Sequence, residues 1–272
     1  MVEIEDNLDI DSIYFLTETH RRDNGVRMSE NIKCIHKTRE IQDKKGGGLM
    51  MLWQSKLDMV CSEIYSTFSD ILITKSSIGN FTFFTILVYM SVTDFKLNQN
   101  MSKEIIKTID SLEDENILLL GDFNAHIDLI GYQKLNKNGE QLLNILDRCN
   151  LIMMNLEDNK TVGAVTWERE TQKSTIDYVL VDFSMYDRIK SMVMDDTHEI
   201  LKISDHNLIC INIEVVKKKK CISQEYEVYE YLKISDNRIE KLIELLRGCL
   251  IEIDSENMEK FEECLKECCL KI

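Results

Sequence analysis

The 272-residue sequence contains no proline and only two alanines, Ala125 and Ala164. It also contains no uninterrupted apolar run of the roughly 18 to 20 residues that a membrane span requires. The chain starts with the acidic segment MVEIEDNLDIDS, whereas a signal peptide starts with a basic segment followed by an apolar one. The lack of such a run and of a basic, then apolar, leader argues against membrane insertion and against secretion.

Hydrophobic residues make up 44% of the sequence and charged residues 30%, a balance that predicts a globular protein with one sizeable core. The nine cysteines form no CxxC array, so without a secretory signal we expect reduced thiols in an intracellular compartment. The formal net charge is -15. Because proteins that grip a phosphate backbone normally carry a basic face, we expect any nucleic-acid contact to be local, metal-bridged or supplied by a neighbouring domain.

Short apolar, β-branched or aromatic runs recur between polar breaks, which predicts a mixed β-sheet protein. Two helices are predicted, from about Met101 to Leu112 and from about Gly139 to Cys149. We therefore predict an α/β fold with two mixed β-sheets packed face to face and flanked by helices. The predicted strands are Ile13 to Thr17, Ile32 to His36, Gly48 to Trp53, Met59 to Ile64, Ile71 to Thr74, Phe81 to Tyr89, Ile117 to Gly121, Leu151 to Asn155, Val165 to Trp167, Ile176 to Val181, Ser191 to Met194 and Leu208 to Val215.

The sequence changes character after residue 216. A run of four lysines, Lys217 to Lys220, is followed by a charged segment with helical spacing of its apolar residues. We predict a main domain over residues 1–216 and a lysine-rich linker with a C-terminal helical tail over residues 217–272. A solvated linker is the simplest interpretation of the lysines, and a nuclear-import or phosphate-binding patch is the alternative.

Polar residues suited to catalysis follow or interrupt several predicted strands. In ILLLGDFN, an apolar strand ends in a glycine turn and delivers Asp122 and Asn124 two residues apart, although Asp and Asn are also common turn residues. Asp177 interrupts the apolar strand of STIDYVLV and requires a partner if it is buried, for which His206 is the candidate. Asp205 stands next to His206 in ISDH, directly before the last predicted strand.

A similar strand end occurs near the amino terminus, where IYFLTETH supplies Glu18 and His20. Hard oxygen ligands without a cluster of Cys and His favour Mg²⁺ or Mn²⁺ over zinc. A divalent ion, an Asp that activates water and a His that stabilises a pentacoordinate phosphate together make a phosphodiester hydrolase. The sequence carries no P-loop, Rossmann glycine pattern or nucleophile elbow that would indicate another chemistry.

The order TETH, LVY, GDFNAH, STIDYVL and SDH resembles the endonuclease/exonuclease/phosphatase family. The segments GDFNAHID, NGEQLL, Thr166-Trp167 and STIDYVLVD are more specifically similar to the apurinic-type endonuclease domain of non-LTR retrotransposons, over roughly residues 10 to 216. The resemblance implies a four-layer sandwich of two sheets flanked by helices. It also implies that the domain nicks target DNA and leaves a 3′-hydroxyl, from which a neighbouring reverse transcriptase copies its RNA.

The resemblance also implies roles for individual residues. Glu18 would hold the metal ion, with Asp205 beside it. Asp122 would activate the attacking water, and Asn124 would orient that water or the phosphate.

Asp177 would align His206, whose imidazolium would face the charge that develops on the phosphorane. Tyr89 and His20 would approach the phosphate. The simpler alternatives are that Tyr89 is an edge-strand aromatic residue and that His20 is a surface residue.

One departure from the family pattern concerns its first strand, which carries an asparagine at the metal site. Asn7, in an acidic stretch, is the only asparagine before Ile13. We therefore expect a domain that is truncated at its amino terminus and whose activity is in question. The alternatives within the fold are a phosphatase or an abasic-site endonuclease. A non-catalytic remnant that binds partners through its helical tail is the alternative from another class.

Overall fold

The computed structural model of the protein describes residues 9–20, 28–38, 47–112, 116–130, 134–198 and 204–215. Within these ranges the chain forms four β-sheets and three α-helices. The predicted tail, residues 217–272, lies outside the described residues.

The central element is a six-stranded sheet with the strand order β4-β5-β6-β7-β12-β8. Strands β6 and β7 run parallel, and the other neighbouring pairs are antiparallel. The parallel pair ends together at Tyr89 and Asp122, so polar residues after both strands meet at one edge of the sheet. The strands are β4 (Met59–Ile64), β5 (Ile71–Ile78), β6 (Phe81–Tyr89), β7 (Asn116–Asp122), β8 (Ile152–Met153) and β12 (Asp177–Val181).

A second layer covers one face of the central sheet. It consists of two three-stranded sheets with the orders β1-β3-β2 and β14-β13-β9. A separate hairpin is formed by β10 (Trp167–Arg169) and β11 (Gln172–Ser174). The strands of the second layer are β1 (Ile13–Leu16), β2 (Ile32–Lys37), β3 (Leu49–Gln54), β9 (Thr161–Val162), β13 (Ile189–Met194) and β14 (Ile209–Ile213).

Side chains of the central sheet alternate between two hydrophobic cores. Ile86 and Val88 of β6 pack with the helices, whereas Leu87 and Tyr89 pack with the second layer. This alternation follows from the two-residue period of a strand. Each fully buried Leu, Ile or Val side chain stabilises the fold by about 1.5–3 kcal/mol relative to an exposed one, so both faces of the sheet are held.

The helical layer packs on the other face of the central sheet. Helix α1 (Phe95–Asp110) begins after Asp94, whose side chain accepts from the Leu97 N–H, and it buries Met101, Ile105 and Ile109. Helix α2 (Lys137–Arg148) begins after Asn136, whose side chain accepts from the Gly139 N–H. Such N-caps satisfy backbone donors that have no partner inside the helix. A short helix, α3 (Phe183–Arg188), follows β12.

The predicted fold class is confirmed: mixed sheets pack face to face, and helices cover the central sheet. The described ranges supply three of the four layers, and their second layer is made of two small sheets. Helix α1 begins at Phe95, not at the predicted Met101, because the Asp94 cap starts it in a polar turn that lacks apolar spacing. None of the helices that the structure describes is long and apolar enough to cross a membrane.

Candidate active site

Three of the candidate residues lie side by side across one edge of the central sheet. Tyr89 of β6 is paired with Asp122 of β7, and Asp122 is paired with Asp177 of β12. Residues that pair across neighbouring strands project from the same face of a sheet. That face points towards the second layer, because Tyr89 belongs to the core on that side. Tyr89, Asp122 and Asp177, which are 33 and 55 residues apart in sequence, therefore form one row.

His206 lies directly before β14, in the second layer, and contacts this row. Its Nδ1 lies 2.9 Å and 3.2 Å from the two carboxylate oxygens of Asp177. Burial favours the neutral imidazole, but the hydrogen bond and the charge of Asp177, with the charges of Asp122 and Asp205, raise the pKa of His206 to about 9. The ring is therefore an imidazolium at neutral pH, with N–H donors on both ring nitrogens.

Asp122 is almost completely buried, with 2% of its surface exposed. Burial and the charge of Asp177, with a smaller contribution from Glu18, raise its pKa well above the usual value, although His206 and the Asn124 N–H act in the opposite direction. The backbone N–H of Asn124 donates to Oδ1 of Asp122 at 2.9 Å, and its Nδ2 donates to Oδ2 at 3.1 Å. A carboxyl group with a raised pKa is a stronger base than an ordinary aspartate, and such perturbed groups are candidates for proton transfer.

Glu18 and His20 lie on the segment that follows β1. Both have left-handed backbone conformations, with φ of 49° and 52°, and Asn124 has a φ of 46°. Residues other than glycine rarely adopt the left-handed backbone conformation because their Cβ is sterically crowded there. Residues with such strain cluster at functional sites. The segment is held by the Thr19 N–H, which donates to the Gly48 carbonyl at 3.1 Å. Glu18 is half-buried and His20 is exposed.

The hairpin β10–β11 holds the Asp205-His206 dipeptide. The indole Nε1 of Trp167 donates to Oδ2 of Asp205 at 3.1 Å, and the Glu168 N–H donates to the Asp205 carbonyl at 2.8 Å. Trp167 also forms an isolated antiparallel bridge with His206. The side chain of Asp205 remains exposed, so this carboxylate is accessible to a ligand from solution.

Thr166 is a site residue for which the sequence predicted no role. Its hydroxyl oxygen accepts from the backbone N–H groups of Ile176 and Asp177, both at 3.0 Å. Its carbonyl accepts from the Asn207 N–H at 2.7 Å. Thr166 therefore connects the start of β12 with the residue after His206. The sequence signal was its place beside Trp167 in a segment that resembles the family, but nothing in its type or spacing indicated this contact.

The donor set of the row fits a hard divalent cation. One ligand atom each from Asp122, Asp177 and His206 lies within 4.8 Å of the others. Carboxylate oxygens are the ligands that Mg²⁺ and Mn²⁺ prefer. Burial is the main cause of the raised pKa of Asp122, and the charge of Asp177, which raises it further, is one that a cation would offset. A charged His206 does not ligate a metal ion, so the carboxylates are the groups that could hold it.

Part of the chain is similar to a known protein family. Residues 83–210 match the protein family described as Endonuclease-reverse transcriptase. A search of the curated proteins gives no match.

Solved structures share the fold. The endonuclease domain of TRAS1, a telomere-specific non-LTR retrotransposon, superposes with a TM-score of 0.57 and 18% identity, over 75% of this chain and 87% of that one. The 3′ phosphatase NExo from Neisseria, bound to a product DNA hairpin, gives 0.58 and 18%, over 79% and 93%. The 3′-5′ exonuclease NExo from Neisseria meningitidis gives 0.56 and 16%, over 78% and 92%. The family match over residues 83–210 and the shared fold support a relationship to the endonuclease/exonuclease/phosphatase family.

Proposed function

We propose that this protein is a DNA endonuclease of the non-LTR retrotransposon type, dependent on Mg²⁺ or Mn²⁺, that nicks one strand of its target. The observation that carries the proposal is the contact between His206 and Asp177, in register with the buried carboxyl group of Asp122. The fold shared with the endonuclease domain of TRAS1 supports the choice among the activities of the family.

In the proposed reaction, Asp122 accepts a proton from the attacking water while the water oxygen bonds to phosphorus. Burial and the charge of Asp177 raise the pKa of Asp122 and so make it a stronger base than an ordinary aspartate, which favours this role. Asn124 orients the water or the phosphate. Its Nδ2 donates to the Met90 carbonyl at 2.9 Å as well as to Asp122, which restrains the carboxamide.

His206 stabilises the negative charge that develops on the phosphorane. Its pKa of about 9 keeps it charged at neutral pH, and the Asp177 contact fixes the ring orientation. The bond from phosphorus to the 3′-oxygen then breaks, and that oxygen takes up a proton, which yields a 3′-hydroxyl and a 5′-phosphate. We assign Tyr89 and His20 to contacts with the phosphate.

We assign the metal ion to the remaining carboxylates, Glu18 and Asp205. Asp177 and His206 are paired with each other, and Glu18 lies close enough to Asp122 to raise its pKa. A bound divalent ion would polarise the phosphate and neutralise part of its charge.

The proposed partners are the target DNA and a neighbouring reverse transcriptase domain in an intact element, and the proposed site of action is the nucleus. The name of the matched family joins the two enzyme activities. With a net charge of -15, binding to DNA should be weak and should decrease steeply with salt.

The test is nicking of supercoiled plasmid by the purified chain, with Mg²⁺ and with EDTA. We expect metal-dependent conversion to the open circle, and a rate at least 100-fold lower in His206→Ala and in Asp122→Asn. The matched control is His198→Ala, which removes a histidine of similar exposure that contacts a different carboxylate, Glu168. We expect its rate to remain within threefold of the wild-type rate.

Two further substrates in the same assay separate the alternatives within the fold. A duplex with one abasic site tests repair-type cleavage, and a duplex with a 3′-phosphate tests phosphatase activity. Metal-independent nicking, or equal rates for wild type and His206→Ala, would contradict the proposal. Complete inactivity of a folded wild-type chain would favour the non-catalytic alternative.

A further inference from the structure

The loop that carries Asp122 and Asn124 is held from behind by three asparagines, Asn98, Asn136 and Asn138, which we call the asparagine brace. Asn98 lies in the first turn of α1 and Asn138 in the first turn of α2, and their exposed fractions are 0% and 1%. Asn136 is the half-buried N-cap of α2.

Asn138 donates hydrogen bonds to the loop that carries Asp122 and Asn124. Its Nδ2 lies 3.0 Å from the Phe123 carbonyl oxygen, 3.3 Å from that of Asn124 and 3.2 Å from that of Ser91. Its Oδ1 accepts from Nδ2 of Asn98 at 2.8 Å. One buried side chain therefore contacts the loops that follow both β6 and β7.

Asn98 fixes the loop after β6. Its Nδ2 donates to the Ser91 carbonyl at 2.6 Å, and its Oδ1 accepts from the Ser91 N–H at 3.0 Å. The preceding residue, Met90, accepts from the carboxamide of Asn124 at 2.9 Å. The brace thus fixes the loop that supplies one of the two contacts of the Asn124 side chain.

Asn136 acts on the same backbone from the other side. Its Nδ2 donates to the Asn124 carbonyl at 3.0 Å, while its Oδ1 accepts from the N–H groups of His126 and Gly139 at 3.0 and 2.7 Å. The Asn124 carbonyl therefore receives donors from both Asn136 and Asn138. Two directed hydrogen bonds restrain the plane of this peptide, and with it the left-handed backbone of Asn124.

A buried carboxamide costs free energy unless its donors and acceptors are paired, and an apolar pair would fill the same space between two helices. Most of the side-chain hydrogen bonds of the brace go to backbone carbonyl and N–H groups of the two loops, and one bond joins Asn98 to Asn138. We propose that the asparagine brace positions the Asp122–Asn124 loop for phosphodiester hydrolysis, as a set of positioning residues that do not contact the substrate. This inference rests on the proposed function.

The principal test compares two variants of the full chain. Asn136→Asp keeps both acceptor contacts of Oδ1, removes the donation to Asn124 and places a carboxylate oxygen against that carbonyl. Asn138→Asp removes the donors to the carbonyls and keeps the contact with Asn98. We expect kcat for nicking to fall about 10-fold in Asn136→Asp and about 100-fold in Asn138→Asp, with the KM for DNA within twofold, because misplacement of a catalytic group by about 1 Å lowers the rate by this order.

The control variant is Ile145→Ala, in the same helix α2. Ile145 is fully buried in the helix-side core, so the variant lowers the melting temperature through a cavity and leaves the brace intact. We expect its kcat to remain within threefold of the wild-type value. An unchanged kcat in both Asp variants would overturn the proposal. So would an equal loss of kcat in Ile145→Ala, if its melting temperature equals that of the Asp variants.

A second measurement does not depend on activity. The Asn124 N–H donates to Asp122, so its hydrogen exchange reports the position of the loop directly. We expect exchange at least 10-fold faster in Asn138→Asp and unchanged in Ile145→Ala. If the wild-type chain does not nick DNA, the proposed endonuclease function fails, and the exchange rates alone decide whether the brace sets the loop. Unchanged exchange in Asn138→Asp would refute it.

Discussion

The substitution Asp177→Asn tests whether the Asp177 carboxylate sets the charge of His206. The variant keeps the size of the side chain and one acceptor oxygen but removes the negative charge. In the wild type, the hydrogen bond and the charge of Asp177 outweigh the burial that favours the neutral ring. In the variant, a hydrogen bond to an uncharged acceptor and the charges of Asp122 and Asp205 still oppose burial, but the charge of Asp177 is gone. We expect the pKa of His206 to fall from about 9 to below 7.

The size of the effect follows from the pKa. The difference between about 9 and the ordinary value of 6.5 corresponds to about 3 kcal/mol of interaction with the charged ring. Because the pKa is raised in the folded state, this stabilisation is fully present below pH 6.5 and is lost as the pH rises to 9. The free energy of unfolding of wild type should therefore exceed that of Asp177→Asn most at pH 6, with the difference decreasing towards pH 9.5.

The assay is an NMR titration of the imidazole C–H signals in EDTA, with His206→Gln to assign the His206 signals among those of the five histidines. Urea denaturation at pH 6 and at pH 9.5 measures the linked stability. The NMR titration is the primary measurement, because loss of the Asp177 charge also relieves the repulsion that raises the pKa of Asp122. A His206 pKa that stays above 8 in Asp177→Asn would refute the reasoning.

Two further predictions concern the sheet and the ion. Gly121 has a φ of 141°, and a Cβ there would overlap the Val88 carbonyl of the neighbouring strand. Gly121→Ala should therefore lower the free energy of unfolding, measured by urea denaturation, by about 3 kcal/mol or more. Gly79→Ala, with a φ of 59° and open space around the added Cβ, should cost only about 1–2 kcal/mol, and equal losses would exclude the close approach as the cause. Mg²⁺ at about 100 times its Kd should stabilise the wild type by about 2.7 kcal/mol, seen as a rise in melting temperature of several degrees. The same rise in Glu18→Gln would contradict an ion held by Glu18 and Asp205.

The strands of the central sheet could be predicted because their apolar runs are long and end at polar residues. The predicted bounds of β4 and β6 agree with the structure at both ends. The hairpin β10–β11 was predicted only in part, since β11 is the polar run QKS, which is a strand through its pairing with β10 and not through hydrophobicity. The segment from Leu151 to Asn155 was predicted as one strand, but it forms the two-residue β8 and then a turn of 3-10 helix from Met154.

The pairing of Asp177 with His206 could be anticipated because a charged residue inside an apolar strand requires a partner. The alignment of Tyr89, Asp122 and Asp177 in one row required the strand order, which local patterns do not contain. The roles of all these residues in catalysis remain predictions.

The contact between Asn98 and Asn138 could not be predicted, because it joins the first turns of two helices that are 40 residues apart. Asparagine at a helix start is also explained by capping alone. Only the docking of α1 against α2 reveals that two of these side chains point inward at loop carbonyls.

The candidate site draws on two layers of the fold. Tyr89, Asp122 and Asp177 belong to one sheet, whereas Glu18 and His206 come from segments near opposite ends of the described chain, beside two other sheets. Secondary structure alone therefore does not assemble the site, which forms only when those sheets dock on the central one. Slight separation of the layers would break the contact between His206 and Asp177 before any strand is lost. In mild denaturant, activity should disappear earlier than the far-UV circular dichroism signal, so the site acts as a sensor of interlayer docking.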